Sequence, residues 1–92
     1  MKNLGGNIIS PLCSVRWDNG FTVVAGLGEK GVVQATRWDG KWGPWKTVNA
    51  GPATGAPSMV AWGEGHGHLY FTSANGEVSE IGTGDYGKTW TT

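Results

Sequence analysis

Residues 37–45 read Arg37-Trp38-Asp39-Gly40-Lys41-Trp42-Gly43-Pro44-Trp45 and hold three of the six tryptophans of a 92-residue chain. The stretch is too rich in glycine, and too broken by Pro44, to be helical. It reads as the end of one strand, an Asp-Gly turn and the start of another. Working outward in both directions, the same chemistry recurs. Residues 14–17, 21–25, 32–38 and 42–48 are short and β-prone, separated by Asp18-Asn19-Gly20, by the loop 26–31 and by Asp39-Gly40. No window carries apolar residues at i, i+3, i+4 and i+7 free of glycine, so the expectation is an all-β chain.

Residues 49–57, Asn-Ala-Gly-Pro-Ala-Thr-Gly-Ala-Pro, contain no large side chain and read as a linker. Beyond it the strand rhythm restarts at 58–62, 68–73, 77–81 and 88–92, with Ala74-Asn75-Gly76 as a hairpin signal. The two halves superpose at an offset of 45. Gly6 falls on Gly51, Val15 on Val60, Trp17 on Trp62, Gly20 on Gly65, Gly31 on Gly76, Val33 on Val78, Trp45 on Trp90 and Thr47 on Thr92. Aligned tryptophans and turn glycines at matching strand positions indicate an internal repeat: unit one at 10–48, the linker, and unit two at 58–92, in a single domain. Trp17 and Trp62, mid-strand after a valine, are expected in the core.

A period of 40–50 residues with four strands per unit is the mark of propeller blades. One blade has two faces to bury and needs neighbours on both sides, and two blades cannot close a ring. The expected architecture is therefore two four-stranded propeller blades per chain, assembled as a homotrimer into a six-bladed β-propeller. Four copies and eight blades are the alternative. Small size points the same way, since a 92-residue chain with one cysteine has no disulfide to staple it.

Lys plus Arg equals Asp plus Glu at seven each. This neutrality gives no reason to expect nucleic acid or an anionic membrane, and fits a neutral polar ligand. No apolar run is long enough to span a membrane. Met1-Lys2-Asn3-Leu4-Gly5-Gly6 is not followed by an apolar core, so the expectation is a cytoplasmic protein or one released without a classical signal. Cys13, His66 and His68 do not form a metal-ligand set of known spacing, and no cofactor is expected. Asp18, Asp39 and Asp85 sit in turn motifs and no nucleophile motif occurs, so the chain does not read as an enzyme.

The segments Gly31-Val-Val-Gln-Ala-Thr-Arg-Trp-Asp-Gly-Lys-Trp-Gly-Pro-Trp45 and Ser58-Met-Val-Ala-Trp-Gly63, with Leu69-Tyr-Phe71 and Asn75-Gly-Glu-Val78, resemble the repeats of bacterial β-propeller lectins. The chain is similar to the two-blade fucose lectins, which trimerise into six-bladed rings. The resemblance implies a multivalent lectin that holds a monosaccharide, fucose among the candidates, between adjacent blades. Those lectins surround each sugar with an Arg, a Glu and a Trp. Ala35 stands at the Glu place of unit one and Glu80 at that of unit two, while Val24 and Leu69 occupy the Arg places. Of the triad, Glu80 and Trp38 transfer.

Thr83-Gly84-Asp85-Tyr86-Gly87-Lys88-Thr89-Trp90 also resembles the Asp box of sialidases and related propellers. Its implied role is structural: the Asp caps backbone N–H groups while the Trp packs beneath. Sialidase chemistry needs an arginine cluster, and only Arg16 and Arg37 are present.

Aromatic rings stack on the C–H faces of sugars, and planar polar groups bind their hydroxyls. The candidate ligand-binding residues are therefore Trp38, Trp42, Trp45, Trp90, Arg37, Asp39, Glu77 and Glu80. Trp38 and Trp42 stand out because the second unit has Thr83 and Gly87 in their places. The competing reading is a structural or protein-interaction propeller, or an engineered or excised self-assembling fragment. A degenerate sialidase-like hydrolase is the third.

Overall fold

The computed structural model describes residues 3–48 and 52–91. It is all-β apart from one 3-10 turn at Glu29–Gly31. Seven strands form two antiparallel sheets: β1 (Cys13–Arg16), β2 (Thr22–Leu27), β3 (Val33–Trp38) and β4 (Lys46–Thr47) in the first, and β5 (Ala53–Trp62), β6 (His66–Ser73) and β7 (Val78–Thr83) in the second. Both are simple meanders, with each strand beside its sequence neighbour. No helix among the described residues is long and apolar enough to cross a membrane.

The repeat is present down to strand register. Shifting β3 by 45 gives the bounds of β7. Val15 pairs with Val23 and Val60 with His68; Val23 pairs with Arg37 and His68 with Gly82. A one-residue slip would reverse every side chain, so this identity fixes equivalent faces in the two sheets. The turns follow the sequence as well. Gly20, Gly40 and Gly76 all adopt positive φ, which the Asn-Gly and Asp-Gly pairs anticipate.

Three expectations are corrected. The first is the fourth strand of unit two. No strand forms at 88–91, the described part of that stretch, and the second sheet has three strands among the described residues. The chain there is held in a turn, because the Asp85 carboxylate accepts from the Thr89 N–H at 2.9 Å and the Thr89 hydroxyl at 2.6 Å. Only the bridge between Gly82 and Thr91 follows. The second is the length of the fourth strand of unit one, which shrinks to Lys46–Thr47. Pro44 lacks an N–H, the Gly43 carbonyl accepts from the buried Thr36 hydroxyl at 2.8 Å, and the Gly43 N–H donates to Arg37 at 2.9 Å. The third is the stretch 53–57, which pairs rather than links. Ala53 and Thr54 join β6 at Ser73 and Thr72 before a bulge that ends at Ser58. Small side chains suit this place because Ala53 lies buried over the backbone of Gly31. Residues 49–51 lie outside the described residues.

The sheets stack face to face in a slab of 37 × 30 × 17 Å. From the first sheet, Val23, Ala25, Leu27, Val33 and Ala35 point inward; from the second come Leu69, Phe71 and Ile81. Trp17 lies between them, 5% exposed, and its indole N–H donates to the His66 carbonyl at 2.9 Å. Full burial of such a ring contributes about 3–5 kcal/mol.

Candidate functional site

The Asp85 turn joins the second sheet to the first. The Thr83 hydroxyl donates to Asp85 at 2.8 Å and accepts from the Gly87 N–H at 2.9 Å. Partial burial alone would raise the Asp85 carboxyl. The donors of Thr89 and Thr83 outweigh it and hold the pKa at about 2. The Asp therefore caps its turn, as the sequence pattern predicts. Tyr86, at the tip, is driven to φ +62, a conformation costly for a side chain with a Cβ. Its ring meets Trp17 and Phe21 edge-on at centroid distances of 5.5 and 5.2 Å. Its carbonyl accepts from Arg37 Nε at 3.0 Å. Gly87 passes so close to Val23 that a Cβ there would lie 2.5 Å from a valine methyl.

A groove of about 370 Å³ opens between the β3–β4 edge and this turn. Arg37 and Asp39 stand on its rim, joined at 2.6 Å from Nη1 to Oδ2. Lys41, Lys46 and Lys88 line it, and Trp90 forms a half-buried wall. The guanidinium also lies 5.3 Å above the Phe21 ring. Arg37 is thus held by a carbonyl, a carboxylate and a π-face, which preorganises its donors.

The eight candidate residues fall in different places. Arg37, Asp39 and Trp90 meet at this groove. Trp38 and Trp42 form a bridge with each other and stay outside its lining. Trp45 lines a separate cavity of about 420 Å³ under the N-terminal segment, where its indole N–H donates to the Leu4 carbonyl at 2.9 Å. Glu77 sits in the β6–β7 turn and accepts from Asn75 Nδ2 at 2.9 Å. Glu80 projects from the outer face of the second sheet.

That outer face surrounds Glu80 with residues outside the ligand-binding candidates. Trp62, expected in the core, is 48% exposed. His66 stacks on its ring at 6.0 Å and His68 meets it edge-on at 5.0 Å. His68 Nδ1 lies 3.2 Å from the Tyr70 hydroxyl and 3.3 Å from Glu80 Oε2. Partial desolvation, then hydrogen bonding to Glu80 and its charge, raise the Tyr70 pKa. Val60 and Val78 are also exposed. The lysines of the groove gave no motif, and Lys88 reaches Lys41 and Lys46 only through the stacking of the sheets.

Register equivalence explains why Trp62 is bare. The outer face of the second sheet corresponds to the inner face of the first, where Trp17 is buried. The correspondence has a complement. Ile8, Leu12, Val24 and Trp45, on the outer side of the first sheet, hold the offset-45 places of Ala53, Pro57, Leu69 and Trp90, which lie at or beside the contact between the sheets. Leu12 is exposed. The two uncovered faces of the chain thus carry the positions equivalent to the two sides of its one sheet-to-sheet contact.

Compared with protein-family models, with curated proteins and with solved structures, the chain matches none.

Proposed function

We propose that the chain is a carbohydrate-binding module, a lectin, that assembles head to tail into a closed propeller and holds a monosaccharide unit in the grooves between blades. The observation that carries the binding reading is the groove at Arg37, Asp39 and Trp90. It has the size for one sugar ring, an aromatic wall for a C–H face and a fixed planar ion pair for hydroxyls. The assembly reading is supported by the two complementary open faces, which one rotation repeated between copies would cover. Three copies give six blades.

Each groove alone would bind at about 0.1–1 mM, and several grooves on one ring would add avidity. Native mass spectrometry is expected to give three times the 9.7 kDa chain. A monomer at every concentration overturns the ring. A glycan array is expected to show retained sugars, with Trp90 fluorescence quenched by the free form. An array with no retained sugar, from a well-folded trimer, overturns the lectin reading alone.

A further inference from the structure

The chain is neutral as a whole, but its charge is not evenly spread. Four of its seven cationic side chains, Arg37, Lys41, Lys46 and Lys88, line the groove between the two sheets, against the single carboxylate of Asp39. The groove is therefore three charges positive and the rest of the chain three charges negative. Asp39 is already engaged by Arg37 Nη1. Among the described residues no carboxylate pairs with Lys41, Lys46 or Lys88, since the ion pairs there are Arg37 with Asp39 and His68 with Glu80. Three like charges that line one concavity without a paired carboxylate repel each other. A groove with low-dielectric walls focuses such a field on its occupant. The Debye length is about 8 Å at physiological salt, so cations ringing a cavity of this size act on one ligand together.

We propose that this groove selects an acidic glycan, a sugar that carries a carboxylate or a sulfate. The inference rests on the lectin reading and names the ligand class of that same site, in place of the neutral sugar that the net charge suggests. Arg37 is held at Nε by the Tyr86 carbonyl at 3.0 Å and at Nη1 by Asp39. The three lysines are mobile point charges that follow an anionic substituent. Trp90 supplies the apolar contact that separates a sugar acid from a bare anion.

The test uses the assembled protein and a matched set of probes: glucose, glucuronic acid, glucose 6-sulfate and inorganic sulfate, titrated by calorimetry and tryptophan fluorescence beside an array of neutral and acidic glycans. The two acidic sugars are expected to bind at least about tenfold more tightly than glucose, with the advantage shrinking as salt rises. Lys46→Gln with Lys88→Gln is expected to remove that advantage while circular dichroism and native mass stay unchanged. Equal binding of neutral and acidic sugars overturns this inference and leaves the lectin reading standing. Inorganic sulfate binding as tightly as glucose 6-sulfate also overturns it, because the sugar would then contribute nothing. Failure of every sugar, neutral and acidic, removes the lectin reading with it.

Discussion

The inner face of the first sheet and the outer face of the second are the same surface written twice. The first three strands of each sheet share register, as where Val15 faces Val23 and Val60 faces His68. Yet one face is covered and the other is open. Trp17 is 5% exposed and its equivalent Trp62 is 48% exposed; Val33 is fully buried and its equivalent Val78 is 74% exposed. The side chains have diverged to match. Val23, Ala25 and Ala35 of the covered face become His68, Tyr70 and Glu80 on the open one. Burial is thus not a property of the repeat. It depends on whether another sheet lies on top, and the open face carries the polar group of His68, Tyr70 and Glu80 where the covered one is apolar.

The largest expected difference lies at the paired tryptophans. Trp17→Ala removes a buried ring and its hydrogen bond to His66, and is expected to cost about 3–5 kcal/mol in chemical denaturation. Trp62→Ala should leave the isolated chain's stability within about 1 kcal/mol, because the ring is half exposed. If a second copy covers that face, Trp62→Ala instead lowers the native mass from trimer to monomer. Equal losses of stability in both variants, measured on monomers, would break the comparison.

The paired glycines sharpen it at a smaller scale. Gly31 and Gly76 both adopt positive φ, so an alanine at either strains the backbone by about 1–2 kcal/mol. At Gly31 the added Cβ would also lie 2.9 Å from the Ala53 nitrogen of the opposing sheet, whereas at Gly76 it meets nothing within 4 Å. Gly31→Ala is therefore expected to destabilise the chain more than Gly76→Ala. Identical midpoints in a urea titration would contradict the covered-versus-open distinction.

The Asp85 turn, which has no counterpart in unit one, gives the smallest effect. Its carboxyl is held at about 2 in the folded chain against an ordinary 3.8. A depressed folded value means that the contribution is complete above about pH 4 and is lost as pH falls toward 2. Denaturation followed across that window should show a loss in the native chain that Asp85→Asn flattens. A parallel pH dependence in both proteins would assign the acid sensitivity to other carboxylates.

Much of this molecule is legible in its residues one stretch at a time. Strand positions, Asn-Gly and Asp-Gly turns and the Asp85 cap depend on chemistry within a few residues. The 45-residue repeat is likewise a one-dimensional pattern, and strand pairing enforces it because a slip would turn apolar side chains to water. What sequence could not give depends on contacts between distant segments. Residues 53–57 look like a linker until Gly31 offers them a surface, and 88–92 look like a strand until Asp85 engages Thr89. Trp38 and Trp42 stand out in the sequence because unit two has no aromatic residue in their places, and only the fold shows that they bridge each other outside the groove lining. Trp17 and Trp62 are indistinguishable by sequence context, and Lys88 is forty-two residues from Lys46. Only the stacking of one sheet on the other buries the first tryptophan, leaves the second bare, and brings those lysines to one groove.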